Sequence, residues 1–323
     1  MYTVNIPGKV FPYFPPEVIL LMHHPFKKPV RALRLIVNPS LKELREMAQS
    51  EEKITRYGSA SFITRVRSRS AKNTFLLDGD YLGVDQRGIP LEKEKEMASK
   101  VLEYLKTREL ICLDRQMGQH PRFSFNCRLY ITKECARIPF MWRNMLFQPD
   151  PAKQEPDLVS IFVPEWPERI IFVHPEAGVT YILGTDYFGE VKKSFLRMAL
   201  YFWKKRGGIG FHAGSKVLRV RTAKGILEDI GFIMFGLSGT GKTTLTIHDH
   251  GLQGEERVII RQDDMVMMDD KGYCCGTENG FYIKTEGLDQ SQKVLYDAAT
   301  SPNAILENVK VLDDGTVLFD NSE

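Results

Sequence analysis

The sequence predicts an α/β protein with α+β elements, built as an N-terminal mixed α/β domain over residues 1–220 and a mononucleotide-binding domain over 221–323. Three observations carry this prediction. Short β-branched runs alternate with amphipathic helical patterns along the first two thirds of the chain. Residues 236–243 read Gly236-Leu237-Ser238-Gly239-Thr240-Gly241-Lys242-Thr243, a complete G-x-x-x-x-G-K-[ST] phosphate-binding loop. Further on, the run Val258-Ile259-Ile260 leads into two adjacent carboxylates, Asp263 and Asp264.

Taken in order, residues 1–35 are rich in proline and aromatics and become β-like over 32–37. Ser40-Leu41-Lys42-Glu43 is a capping box, which predicts a helix over 41–50. Residues 60–80 read as strand, turn, strand around the basic stretch Arg65–Asn73. Residues 91–110 predict a charged amphipathic helix with Met97, Val101, Leu102 and Leu105 on one face. Strands are expected within 111–130 and a helix over 133–147 carrying Arg137 and Trp142. A loop follows at 150–158. The β-rich block comprises Val159–Val163, Ile170–Val173 and Val179–Leu183. A helix over 190–205 turns Phe195, Met198, Ala199, Phe202 and Trp203 toward a core. The apolar run Gly231-Phe232-Ile233-Met234-Phe235 is expected as a buried strand feeding the phosphate loop, with the domain boundary near 210–225.

In such a loop the glycines let backbone N–H groups curl around phosphate oxygens. Lys242 reaches the β- and γ-phosphates, and the Thr243 hydroxyl sits on Mg²⁺. Carboxylates at the end of a strand after the loop are where nucleotide-binding folds hold metal.

Composition narrows the classes. The chain has 323 residues, 43% hydrophobic and 26% charged, an ordinary globular balance. A net charge of +3 gives no electrostatic case for nucleic acid or membrane. Its five cysteines lack paired C-x-x-C spacing, so they read as reduced thiols rather than a zinc site. The start lacks a basic region followed by an apolar stretch, and no run approaches the ~20 apolar residues of a membrane span. A cytoplasmic protein is therefore expected.

Other residues say little singly. Lys192-Lys193 at a helix start reads as solvated surface, His212 beside Phe211 as a core histidine, and His248-Asp249-His250 as a polar helix end. In sequence order, however, they form a pattern. Ile182-Leu183-Gly184-Thr185-Asp186-Tyr187-Phe188-Gly189-Glu190-Val191-Lys192-Lys193 is followed by His212, the loop continuing into Thr244-Leu245, and Asp263-Asp264. Glu278-Asn279-Gly280-Phe281-Tyr282-Ile283-Lys284-Thr285 and Ile305-Leu306-Glu307-Asn308-Val309 complete it. This pattern resembles the ATP-dependent phosphoenolpyruvate carboxykinases, most strongly over 179–320. Upstream the resemblance is weaker, through Arg69-Ser70-Ala71-Lys72-Asn73 and Phe125–Pro149.

The resemblance implies conversion of oxaloacetate and ATP to phosphoenolpyruvate, ADP and CO₂, a step of gluconeogenesis. It implies Mn²⁺ held by Lys193, His212 and Asp264, with Ser238 close by, and Mg²⁺ carried with ATP and met by Thr243. The nucleotide would lie on Gly236, Leu237, Ser238, Gly239, Thr240, Gly241, Lys242, Thr243 and Thr244, with Asp263, Lys284 and Glu307. Lys242 would neutralise charge on the transferring phosphoryl group, and Asp263 would hold waters around the metals. Arg69 and Tyr187 fall on substrate-side positions, with Arg128 assisting.

The pattern also departs from the family. Ala71 replaces a common proline, Arg115–Gln119 is unlike the usual residues, and Arg261-Gln262 replaces a glycine-containing lead-in. In the family, an arginine contacting the γ-phosphate and most of the adenine pocket fall beyond residue 323, which makes the nucleotide domain incomplete. The expectation is a fragment, or a chain completed by a second polypeptide. Two other readings share the loop: a kinase of the HPr kinase type and a non-catalytic ATP-binding paralogue. The kinase reading needs neither the Lys193–His212–Asp264 set nor a clamp at Arg69.

Overall fold

The computed structural model describes residues 30–79, 82–153, 155–237 and 240–319. Expectations placed on residues 1–29, Ser238 and Gly239 lie outside the described residues.

β1 (Arg34–Val37) and α1 (Leu41–Ala48) form where the sequence places them. The capping box closes: Glu43 N–H donates to Ser40 Oγ at 3.2 Å, and Ser40 N–H donates to Glu43 Oε2 at 2.7 Å. β2 (Lys53–Ile54), β3 (Ala60–Phe62), β4 (Thr74–Leu77) and β5 (Arg87–Ile89) follow as short strands. α2 spans Leu91–Leu105, which shortens the expected helix. Lys106–Arg108 form a tight turn, and the β-prone run Leu110-Ile111-Cys112-Leu113 is drawn into β6 (Glu109–Met117). There its backbone groups pair with β1 on one side and β7 (Phe125–Thr132) on the other.

α3 is Arg137–Met145, preceded by a 3₁₀ turn at Lys133–Cys135 in place of the first turn of the expected helix. β8 (Leu158–Val163), β9 (Ile170–His174) and β10 (Val179–Leu183) match the β-rich block, and α4 (Phe188–Lys205) the last long helix. On α4, Phe195, Met198, Ala199 and Trp203 are buried and Phe202 is half-buried.

These strands build a mixed eight-stranded sheet in the order β1-β6-β7-β8-β10-β9-β4-β5. Helices cover both faces. α1, α3 and α4 contribute Leu44, Ile138, Trp142 and Phe195 to one core, and α2 contributes Ala98, Val101 and Leu105 to the other. Coverage on both sides is why β8 and β10 are buried at every residue and read as continuous apolar runs.

Beyond α4 the layers change. β11 (Ile209–Phe211) leads into β12 (Ala213–Arg221) and β13 (Leu227–Phe235). α5 (Lys242–Ile247) packs on this sheet, and β14 (Arg257–Gln262) completes it in the antiparallel order β13-β12-β14. The expected burial of the run at 231–235 is corrected here. It is a strand, but Phe232 is 42% exposed and Phe235 71% exposed. β13 is an edge strand, and no helix layer like that of the large sheet covers it among the described residues.

β15 (Val266–Met268) and β16 (Cys274–Gly276) join β11 in a second small sheet. After α6 (Lys293–Ala299), β17 (Ile305–Glu307) pairs in parallel with β3, and β18 (Lys310–Val311) pairs with β19 (Val317–Leu318). Asn308 extends the β17–β3 junction: its Oδ1 accepts from Thr64 N–H at 2.8 Å. The small sheet around β12 is continuous from residue 213, and β17 returns to pair with β3.

Among the described residues no helix is long and apolar enough to cross a membrane. The five cysteines are free, with Cys112, Cys127 and Cys135 buried.

Candidate active site

Three chain segments meet at Asp264: the first turns of α4, the β11–β12 junction carrying His212, and the end of β14. Ala213 N–H donates to the Asp264 carbonyl at 3.1 Å, which locks the last two together. Lys193 Nζ lies 2.6 and 2.7 Å from the two Asp264 carboxylate oxygens, and His212 Nε2 lies 3.7 Å from Oδ1. Lys193, His212 and Asp264 are thus brought together from positions 71 and 52 residues apart in sequence from Asp264.

Lys192 overturns the surface reading of the lysine pair. Its side chain is 2% exposed and bonds Asp264 and, at 3.0 Å, Glu278. Helical spacing explains it, because Phe188, Lys192 and Phe195 share the buried stripe of α4. That i, i+4, i+7 pattern is the signal that could have found Lys192 in the sequence.

The charges tune one another. Burial opposes ionisation of Asp264, but Lys192 and Lys193 outweigh it and hold its carboxyl down at about 2. Burial lowers the pKa of Lys193, and the neighbouring Lys192 pushes the same way against Asp264. Lys192 also resists burial through Glu278 and Asp264, and its pKa is raised. His212 is exposed, yet partial burial and the surrounding lysines keep its pKa low against the pull of Asp264.

The phosphate-loop motif sits beside this cluster. Gly241 has φ +84°, a conformation that favours glycine, and opens α5. Lys242 Nζ donates to the Gly236 and Leu237 carbonyls, both at 2.9 Å. Thr243 Oγ1 donates to Asp263 Oδ2 at 3.1 Å. Asp263 Oδ1 is buried with no hydrogen-bond partner among the described residues, and burial raises the pKa of this carboxyl. Thr240 hydrogen-bonds the Leu237 carbonyl through its hydroxyl at 2.8 Å, while Thr244 and Lys284 are exposed.

On the far side of α4, buried Glu190 accepts from Ser70 N–H and lies 3.3 Å from Arg69 Nε. Tyr187 lies over the first turn of α4. A Cβ at Gly189 would stand 2.5 Å from the Tyr187 ring, which would have to shift to admit it. Tyr282 hydroxyl lies 3.4 Å from that of Tyr187 and donates to Glu307 Oε2 at 2.7 Å. Glu307, expected on the nucleotide side, is half-buried and also accepts from Phe188 N–H at 3.1 Å. Arg128, expected to assist with substrate, makes a bidentate pair with Asp114 at 2.7 and 3.0 Å. His248-Asp249-His250 does follow the end of α5, and His250 Nε2 lies 2.6 Å from Lys216 Nζ.

Among the described residues no three His, Cys, Asp or Glu side chains cluster as a metal site. The groups that converge on Asp264 are two lysines and a histidine.

Comparisons with known proteins identify the family. The phosphoenolpyruvate carboxykinase family model matches residues 34–323. A phosphoenolpyruvate carboxykinase (ATP) of Aeropyrum pernix is 39% identical over 218 residues, 67% of this chain and 44% of that protein. One of Thermus thermophilus is 30% identical over 239 residues, 68% of this chain and 42% of that protein. One of Caldanaerobacter subterraneus is 26% identical over 298 residues, covering 86% and 54%. The chain spans about half the length of the curated relatives it matches. With the family model covering nearly all the described chain, and the lysine, histidine and aspartate of its pattern meeting at one point, this protein belongs to the ATP-dependent phosphoenolpyruvate carboxykinase family.

Proposed function

We propose that the chain serves the ATP-dependent decarboxylation and phosphorylation of oxaloacetate to phosphoenolpyruvate in the cytoplasm, alone or with a second chain completing its nucleotide side. The observation that carries this reading is the convergence of Lys193, His212 and Asp264 beside the Thr243–Asp263 bond. A phosphate loop alone fits many nucleotide enzymes; a neutralisable lysine, a histidine and a carboxylate on one point fit far fewer.

The donors suit divalent cations. Lys193 has a lowered pKa, so its amine can give up the proton that bars ligation. Asp263 Oδ1, buried and unpartnered, suits a cation-bound water. Mn²⁺ would be held by Lys193, His212 and Asp264, and Mg²⁺ by Thr243 with the nucleotide. A bound cation supplies positive charge against the enolate oxygen left when CO₂ departs.

The chain's own groups do the rest. Lys242 exchanges the Gly236 and Leu237 carbonyls for phosphate oxygens and offsets their charge. Lys192, fixed by Glu278, holds Asp264 in place. Arg69, steadied by Glu190, presents a guanidinium to a substrate carboxylate. Tyr187 lies over the start of α4, between that clamp and the lysines. Thr243 and Asp263 keep the loop joined to the end of β14, so that phosphate and carboxylate substrates approach each other in a fixed geometry.

A coupled assay with oxaloacetate, ATP, Mg²⁺ and Mn²⁺ tests the reading. Turnover is expected to fall about 10²–10³-fold in Lys242→Ala, as for loss of one preorganised charge-stabilising group. Measurable turnover that is equal in Lys242→Ala and the parent chain would refute it.

A further inference from the structure

Away from the residues just described, a wide-mouthed cavity of about 630 Å³ opens between β6 and the chain that follows α3. Its volume falls in the range of small-molecule sites, though it is open to solvent rather than enclosed. Arg115, Gln116, Gln119, Phe147, Gln148 and Asn279 line it, none of which the proposed reaction uses. Arg115 lies in the stretch 115–119 that departs from the family residues.

Arg115 is only 4% exposed. Its Nη1 donates to Gln148 Oε1 and its Nη2 to the Leu146 carbonyl, both at 2.7 Å, while Nε is buried with no partner. Both acceptors are neutral. No carboxylate forms an ion pair with Arg115 among the described residues, and the nearby charge is a second cation, Arg143. Burial and that like charge lower its pKa to about 10, so the group is still cationic at neutral pH. A buried charge without a counter-ion is costly, and proteins pair such groups. Here the space beside it is a cavity rimmed by amides.

We propose that this cavity binds a small organic anion, a carboxylate bearing hydroxyl or carbonyl oxygens, whose charged end is matched to Arg115. One guanidinium balances a single carboxylate, whereas a phosphate dianion calls for more cationic partners than the pocket offers. Gln148, with its carbonyl already engaged, has its amide hydrogens left to donate. Gln119 and Asn279 are exposed at the rim and carry both donors and acceptors, which suits hydroxyl and carbonyl groups. Phe147 supplies an apolar wall.

The cavity is joined to the active-site cluster. Asn279 N–H donates to the Met145 carbonyl at 2.8 Å and Gly118 N–H to the Thr277 carbonyl at 2.8 Å. Between them stands Glu278, which pairs with Lys192 at 3.0 Å. An anion contacting Asn279 would therefore act on the segment that positions Lys192.

The test is calorimetric titration of the 323-residue chain with L-malate in the presence of EDTA, and separately with inorganic phosphate. The Arg69→Gln variant removes the other proposed carboxylate clamp. Malate binding is expected to survive in Arg69→Gln and to weaken at least tenfold in Arg115→Gln. Phosphate binding that depends on Arg115 is expected to be weaker than that of malate. Unchanged malate affinity in Arg115→Gln, no malate binding in Arg69→Gln, or phosphate binding as tight as that of malate and lost in Arg115→Gln would each overturn the proposal. Circular dichroism checks that Arg115→Gln folds. If it does not, Asn279→Ala at the exposed rim takes its place, with weaker malate binding expected and unchanged affinity overturning the proposal. None of these outcomes depends on turnover of oxaloacetate.

Discussion

β10 and β13 are both β-branched and aromatic, yet they finish in opposite surroundings. β10, Val-Thr-Tyr-Ile-Leu, is buried at all five positions, with neighbouring strands on both edges and helices over both faces. β13 ends in Gly-Phe-Ile-Met-Phe and leaves Phe232 and Phe235 substantially exposed at the edge of a three-stranded sheet. Apolar β-prone residues make a strand in either place. What differs is the layer above them. The cohesive part of the molecule is the eight-stranded sheet, and the phosphate-loop motif is mounted on its thinly covered neighbour. Segments with few buried contacts open at lower free energy, and ligand-binding loops are commonly drawn from them.

Substitutions can break or sharpen this contrast. The largest effect is expected at Phe172, fully buried on β9 and stacked on Tyr181 at a centroid distance of 4.3 Å. Phe172→Ala should cost about 3–5 kcal/mol in denaturant unfolding. A loss near 1 kcal/mol would mean that the large sheet is no better packed than the small one.

Next comes Asp186, which accepts from the amides of Arg65 and Val66, each at 2.9 Å, and from Arg137 Nη2 at 2.8 Å. Asp186→Asn should destabilise by about 2–3 kcal/mol, because one oxygen becomes a donor facing donors. Burial alone would raise the Asp186 pKa, but these partners outweigh it and lower it. Its contribution is therefore full above the unfolded value of about 4 and is lost as pH falls through the lower folded value. Unfolding curves of wild type and variant should converge in acid. A gap that persists there would assign the effect to shape rather than charge.

A smaller effect of opposite sign is expected at Glu94 on α2. Both its carboxylate oxygens are buried without hydrogen-bond partners among the described residues, and burial raises its pKa. The folded state then holds the proton more tightly, so stability is lost as pH rises from the unfolded value of about 4.3 through the folded one. Glu94→Gln should stabilise by about 1 kcal/mol at pH 7 and by nothing at pH 4. Stabilisation independent of pH would refute this account.

The smallest change is expected at Phe232, where alanine should alter stability by about 0.5 kcal/mol or less. A cost resembling that at Phe172 would reveal a cover over β13 in solution.

The loop motif and much of the large sheet were legible because their signals are local. The loop motif, the Ser40–Glu43 capping box and the strand runs of the large sheet depend on neighbours within a few residues. Lys193, His212 and Asp264 were legible only as a family pattern, since no local rule links residues so far apart. Lys192 was passed over as surface because adjacent charges usually are solvated, although its stripe with Phe188 and Phe195 was visible. For Glu307 and Arg128 the motif names a residue but not its partner, and the tertiary structure adds those partners. Phe188 and Tyr282 claim the first, and Asp114 the second.

The sequence by itself determined most strands and helices of the large-sheet part, the Ser40 cap, the phosphate-loop motif and the family. It did so because backbone propensity, side-chain periodicity and turn chemistry act over one or two turns of chain. Only the tertiary structure decided the strand order of the large sheet, the return of β17 to β3, the exposure of β13 and the burial of Lys192. Those follow from which surfaces meet across hundreds of residues, where pairing and burial are settled by competition among all apolar faces at once.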